Sequence, residues 1–181
     1  MEYGLAKSPN YEKSKCKPKS YYGISKLKST EVLKKSKLNY IVLRLYQIYG
    51  PYQKINRLIP IAINQLLDKK AFSASSGGQL RDFLYVDDFI ELIKKILLSK
   101  KPIKGVYNVG YGKPVAVKQI LKKINKLIKS GKINYGIIKM KKSETKNSYP
   151  NVKKIEKIFS WKSKTNLEKG LKKTIKFYEK K

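Results

Sequence analysis

The sequence predicts an α/β fold, on three observations. Segments of strand character alternate with segments of helical character along the 181 residues, the pattern of helices packed on a sheet. The run Asn39–Tyr46 is apolar and β-branched (Asn-Tyr-Ile-Val-Leu-Arg-Leu-Tyr), as a strand buried in a parallel sheet must be. Glycine and proline mark the gaps, at Gly50-Pro51, Gly77-Gly78 and Gly110-Tyr111-Gly112, where the chain has to turn.

Taken in order, residues 1–19 hold Gly4, Pro9 and Pro18 without periodicity and read as loop. From Ser20 to about Lys37 the spacing of Ile24 and Leu27 predicts a helix with Ser20 as its cap. The strand over Asn39–Tyr46 ends at Tyr49-Gly50-Pro51. Leu58–Lys70 reads as a helix, and a short strand after Gly78 runs to Val86. Asp87 is the expected N-cap of a helix reaching about Lys100. Gly105–Gly110 reads as a strand entering a glycine turn, Val115–Ser130 as a helix and Ile133–Met140 as a strand. Short helices close the chain over Val152–Phe159 and Leu167–Glu179, and no segment repeats another.

Composition bounds the chemistry. Hydrophobic residues are 41%, enough for a core in one domain or slightly more. The longest apolar runs, such as Ile59-Pro60-Ile61-Ala62-Ile63, are far too short to span a bilayer. No charged-then-apolar leader with a cleavage site opens the chain, and the single cysteine, Cys16, has no internal partner. A cytoplasmic protein with no membrane association is expected. The chain contains no histidine, which removes imidazole acid–base chemistry and, with one cysteine, a zinc site; no metal is expected.

The net charge of +31 raises the possibility of a polyanionic partner. Only Arg44, Arg57 and Arg81 among the 43 basic residues are arginine. Nucleic-acid surfaces exploit the guanidinium fork, and here lysine is spread evenly among Ile, Asn and Tyr. A lysine-rich nucleic-acid-binding protein is therefore the rival reading and the disfavoured one. Against a lysine background the three arginines become informative.

Tyr22 and Lys26 form a Tyr-x-x-x-Lys pair on the first helix, one turn apart on one face. An ammonium nearby favours a phenolate, and such a tyrosine can move a proton to or from a hydroxyl. The spacing alone is weak: with 14 tyrosines among so many lysines, about three chance matches are expected. The sequence holds five, at Tyr3/Lys7, Tyr11/Lys15, Tyr22/Lys26, Tyr135/Lys139 and Tyr149/Lys153, and only context separates them.

Three blocks supply the context. Pro18-Lys-Ser-Tyr-Tyr22-Gly-Ile-Ser-Lys26 through Glu31 resembles the P-x-x-x-Y-G-x-S-K-x-x-x-E block of extended short-chain dehydrogenases/reductases, the NAD-dependent epimerase/dehydratase family. Arg44-Leu-Tyr-Gln47-Ile-Tyr49-Gly50-Pro51 resembles that family's R-x-x-N-x-Y-G-P segment, with Gln47 in place of Asn. Gly78-Gln-Leu-Arg81-Asp82-Phe-Leu-Tyr-Val-Asp87-Asp88 is similar to its G-x-x-R-D-F-x-Y-V-D-D signature. The register continues through Gly105-Val-Tyr-Asn108-Val-Gly110 and through Ser160-Trp161 to Leu167-Glu-Lys-Gly170-Leu171. Where the family often carries R-x-x-E, the chain has Lys141-Lys142-Ser143-Glu144, and lysine lacks the fork. Trp161 reads as packing.

The resemblance implies the C-terminal part of a Rossmann-type sheet plus a small α/β substrate-binding domain. Residues 1–50 would be the Rossmann remnant, with the Tyr helix and the following strand, and 51–181 mainly the nucleotide-sugar region. It implies Tyr22 and Lys26 as catalytic and cofactor-binding, and Gln47, Arg81 and Arg44 as substrate-binding. Arg81 would clamp a diphosphate, with Asp82 orienting it; a strand-edge salt bridge is the other role open to Arg44. The implied cofactor is NAD or NADP and the implied substrate a nucleotide sugar. Epimerase, dehydratase and reductase chemistry stay open together.

A dinucleotide fold carries G-x-G-x-x-G after its first strand. The only G-x-G here is Gly110-Tyr111-Gly112, with no third glycine. Tyr3-Gly4 resembles the family's Tyr-Gly that follows its catalytic Ser/Thr, and only Met1 and Glu2 precede it. The expectation is a chain lacking the cofactor half and inactive alone, whose partner is an upstream polypeptide supplying that half; an inactive fragment and a homodimer are further expectations left open.

Overall fold

Ser20 sets the first regular element. In the computed structural model, which describes residues 2–100, 102–140 and 144–180, its Oγ accepts the Gly23 amide at 3.1 Å, satisfying a donor that a helix start leaves open. Helix α1 runs Tyr21–Lys35, with Lys34 and Lys35 in its last turn, where they suit the negative end of the helix dipole. Strands β1 (Ile41–Leu45) and β2 (Gln47–Tyr49) follow, then α2 (Leu58–Leu67), β3 (Ala71–Ser73), β4 (Leu80–Arg81) and β5 (Phe83–Tyr85). After these come α3 (Val86–Leu97), β6 (Gly105–Val109), β7 (Val115–Ala116), α4 (Val117–Ile128) and β8 (Lys132–Asn134). The chain closes with β9 (Asn147–Ser148), α5 (Lys153–Phe159) and α6 (Leu167–Tyr178).

The α/β expectation holds, and the pairing is mostly parallel: β1 with β6, β2 with β5, β3 with β8 and β4 with β9, while β4 and β7 run antiparallel. The first two pairings join residues on both sides of the boundary expected at residue 50. Segment 41–49 changes partner midway. Tyr46 N donates to Val109 O at 3.1 Å, the last residue of β6, and Gln47 N donates to Asp82 O at 3.0 Å. Open α/β sheets bind ligands outside the carboxyl ends of their strands, and β2 follows the carboxyl end of β1.

Two apolar clusters hold the layers. α2, α4 and α6 bury Ile63, Leu66, Ile120, Leu121, Ile124 and Leu171 completely. Beneath α3 and α5, Leu84, Leu92, Val109 and Ile155 are also fully buried, with Trp161 among them. Trp161 packs as expected, and its Nε1 donates to Asp88 O at 3.1 Å. The loop 1–19 is tied down by polar contacts: Tyr3 Oη donates to Asn108 Oδ1 at 2.7 Å, and Asn10 bridges to Pro150.

Several expectations need correction. The strand over Asn39–Tyr46 is not buried on both faces, since Leu45 is 42% exposed. Asp87 does not cap α3. β5 runs straight into that helix, which starts at Val86 with Tyr85 as N-cap residue, so Asp87 falls in the first turn and faces Lys173 at 3.4 Å. The strand expected over Ile133–Met140 is only Lys132–Asn134, because the chain turns at Gly136, whose φ is +84°. No helix among the described residues is long and apolar enough to cross a membrane.

Candidate functional site

Of the five Tyr-x-x-x-Lys pairs, only Tyr22 and Lys26 lie within a helix. Tyr3/Lys7 and Tyr11/Lys15 are in the N-terminal loop, Tyr135 and Lys139 in a turn region, and Tyr149 precedes the helix that Lys153 begins. On α1 the Lys26 Nζ sits 5.5 Å from the Tyr22 ring centroid, within cation–π range. Tyr22 is 58% exposed, so its phenol can be reached from solvent. The strand tyrosines differ. Tyr46 donates to Asn10 Oδ1 at 2.8 Å, and burial pushes the Tyr46 and Tyr49 phenols well up, keeping both protonated.

Gln47 lies where segment 41–49 switches partners. Together with Gln53, Asn56, Arg57 and Phe83 it lines a cavity of about 210 Å³ beside the N-terminus of α2. Gln53 is fixed there by its Nε2, which donates to Ile48 O at 2.9 Å, and by Tyr178 Oη, which donates to its carbonyl at 2.7 Å. Arg57, the residue before α2, was not singled out from sequence, although it is one of only three arginines. Its rarity was the available signal, and no motif surrounds it.

Arg81 and Arg44 are both engaged internally. Arg81 donates through NH2 to Glu144 Oε1 at 2.7 Å and to Thr145 O at 2.8 Å, and through NH1 to Leu80 O and Lys146 O. Glu144 is thus the described member of the Lys141–Glu144 stretch; Lys141, Lys142 and Ser143 lie outside the described residues. Arg44 is 7% exposed. Its Nε and NH2 both donate to Glu2 Oε2, at 2.9 and 2.7 Å, and its guanidinium lies 4.6 Å from the Tyr3 ring centroid. The salt-bridge role is therefore occupied.

Asp82 does not orient Arg81. Its carboxylate turns the other way and accepts the Tyr111 and Gly112 amides at 2.6 and 2.7 Å. Burial raises its pKa to about 6, against the opposing pull of those N–H groups. The consequence for Gly110-Tyr111-Gly112 is direct: the amides of its only G-x-G are already spent on Asp82, so the turn cannot cradle a pyrophosphate. No group of three or more metal-ligating side chains occurs among the described residues.

Residues 1–110 match the model of the NAD dependent epimerase/dehydratase family. CDP-abequose synthase of Salmonella muenchen is 32% identical over 143 residues, covering 77% of this chain and 48% of that protein. The dTDP-D-glucose 4,6-dehydratase of Mus musculus is 32% identical over 146 residues, covering 77% and 41%. Among solved structures, dTDP-glucose 4,6-dehydratase from Bacillus anthracis in complex with NAD superposes with a TM-score of 0.88 at 28% identity, over 99% of this chain and 59% of that one. UDP-glucuronic acid 4-epimerase from Bacillus cereus, in complex with UDP-glucuronic acid and NAD, gives 0.88 at 26%, over 99% and 59%. The chain spans about half the length of the curated relatives it matches.

Proposed function

The chain belongs to the NAD dependent epimerase/dehydratase family, and from that we propose that it carries the proton-transfer and substrate-binding residues of an enzyme acting on nucleotide sugars. The observation that carries the reading is the Tyr22–Lys26 pair, which alone of five such spacings is set on a helix and open to solvent. The phenol oxygen of Tyr22 exchanges a proton with a sugar hydroxyl, a step common to epimerases, dehydratases and reductases. Lys26, one turn along the same face, would hold a ribose hydroxyl of the cofactor. Bound NAD or NADP would supply the hydride-accepting chemistry at the sugar carbon. The exposed Tyr22–Lys26 face fits the ribose end of such a cofactor, and the Asp82-bound glycine turn does not fit its pyrophosphate.

Gln47, with Asn56 and Arg57 beside it in the same cavity, is assigned to the substrate, an amide offering donor and acceptor where the family pattern has a shorter one. Arg81 is assigned to the diphosphate, which must then displace Glu144 from the guanidinium. Arg44 is assigned a structural role. The expected two-part division, with 1–50 carrying the Tyr helix and 51–181 mainly the nucleotide-sugar region, is retained as part of this proposal, as is a requirement for further polypeptide to hold the cofactor.

The test is turnover and calorimetric binding with a panel of UDP-, dTDP- and CDP-sugars plus NAD, for the wild type and Tyr22→Phe. The variant should lose roughly 10²–10⁴ in turnover, the range for general acid–base groups, with sugar-nucleotide affinity unchanged. Retained turnover in Tyr22→Phe, or its loss instead in Tyr135→Phe or Tyr149→Phe, would assign the chemistry to another residue.

A further inference from the structure

We infer that Glu2 is a positioning residue for Tyr22, fixed by Arg44 in β1 and in turn fixing Thr30 in α1; this rests on the proposed role of Tyr22. The inference starts from how little else holds α1. Of its fifteen residues only Gly23 and Thr30 are buried, and Tyr21, Tyr22 and Val32 are largely exposed. A helix without a buried apolar stripe takes little of its placement from packing, so specific polar ties must set it.

The tie is on the functional face. Tyr22, Lys26 and Thr30 are spaced i, i+4, i+8, which places them along one stripe of the helix. Thr30, 3% exposed, donates through Oγ1 to Glu2 Oε1 at 3.0 Å. The other carboxylate oxygen, Oε2, takes both Arg44 contacts. Glu2 is itself 8% exposed, so both oxygens are committed away from water. Arg44 stands two residues before Tyr46, where segment 41–49 leaves β6 for β5, and three before Gln47 of the cavity. One carboxylate thus spans the helix that carries the Tyr–Lys pair and the strand that leads to the proposed substrate residues. Its removal should loosen one half of the site against the other and leave the α2–α4–α6 cluster alone.

Amide hydrogen exchange on the 181-residue chain reads this without requiring turnover. Thr30→Val keeps the shape and deletes the hydroxyl; Thr30→Ser keeps the hydroxyl. Thr30→Val and Glu2→Gln should speed exchange across residues 24–33 by roughly ten-fold, the scale of one lost hydrogen bond to a charged group, while α4 stays as in wild type. Thr30→Ser should remain close to wild type. Wherever turnover is measured, Thr30→Val should lower kcat with KM for the nucleotide sugar little changed. The inference is overturned if α1 exchange is unaffected in Thr30→Val, if α4 accelerates equally, or if Thr30→Ser behaves like Thr30→Val. Tyr22→Phe is the separate control: it should leave α1 exchange as in wild type, and retained turnover in it would remove the catalytic reading while the exchange pattern still decides the anchor.

Discussion

Helix α1 and helix α4 are made from similar residues and held by opposite means. α4 buries Val117, Ile120, Leu121 and Ile124 against α2 and α6, and its lysines cover the outside. α1, equally rich in lysine, buries a glycine and a threonine. Apolar burial is non-directional and proportional to area, so it fixes α4 strongly without choosing one exact pose. A few hydrogen bonds to a buried carboxylate are weak in sum but directional, which suits a helix proposed to present its side chains to a ligand. Apolar stability resides mainly in α4, and the proposed chemistry in α1.

The contrast can be broken at four places. Ile124→Ala, at a fully buried position, should cost about 2–5 kcal/mol in denaturant unfolding, the range for such cavities; a loss under about 1 kcal/mol would show that the cluster repacks freely. Next comes Gly170→Ala, whose new Cβ would stand 2.9 Å from Tyr49 Cζ and 3.0 Å from Tyr85 Cδ2. Overpacking there should cost about 1–3 kcal/mol, read as a lower Tm.

Asp82 comes third, through pH. Its pKa is raised from 3.8 to about 6 in the fold, so the native state binds the proton more tightly than the unfolded chain. Its contribution is fully present below about pH 3.8 and is lost as pH rises towards 6. Unfolding free energy measured across pH 4–7 should therefore fall relative to Asp82→Asn over that window, and parallel curves would refute the shift. Smallest of all, Tyr21→Ala on the open face of α1, where the ring is 93% exposed, should change stability by under about 0.5 kcal/mol; a larger loss would mean that face is covered in solution.

What the sequence made legible was whatever local chemistry decides. Ser20 capped α1 because a hydroxyl before the first helical residue satisfies the first amides, and the β-branched run 39–46 did contain a parallel strand. Of the five Tyr-x-x-x-Lys spacings, the one at Tyr22 falls on a helix, as its neighbouring residues predict. What stayed hidden depends on partners far along the chain. Asp88 rather than Asp87 is the buried acid of its pair, because Thr165, 77 residues on, donates to it. Asp82 serves the glycine turn thirty residues later, and Arg81 meets Glu144. The place of Arg57 in the cavity wall follows from the approach of β2 to the start of α2, which no periodicity announces.

The ties of the N-terminal loop have a consequence for how the chain is made. Asn10 N donates to Tyr149 O, and Asn151 N to Asn10 O, so the second strand-like bridge of this loop closes only when residues near 150 exist. At about 5–20 residues per second, synthesis of the intervening stretch takes roughly 7–30 s. During that interval the loop has Thr30, Arg44 and Tyr46 within early reach but not the segments that cover it. Long-range closure of this kind is slow even after release. Chains stopped short of residue 147 should be cut by protease within residues 2–19, and chains reaching residue 151 should resist there, so that a segment made early is secured only by one made late.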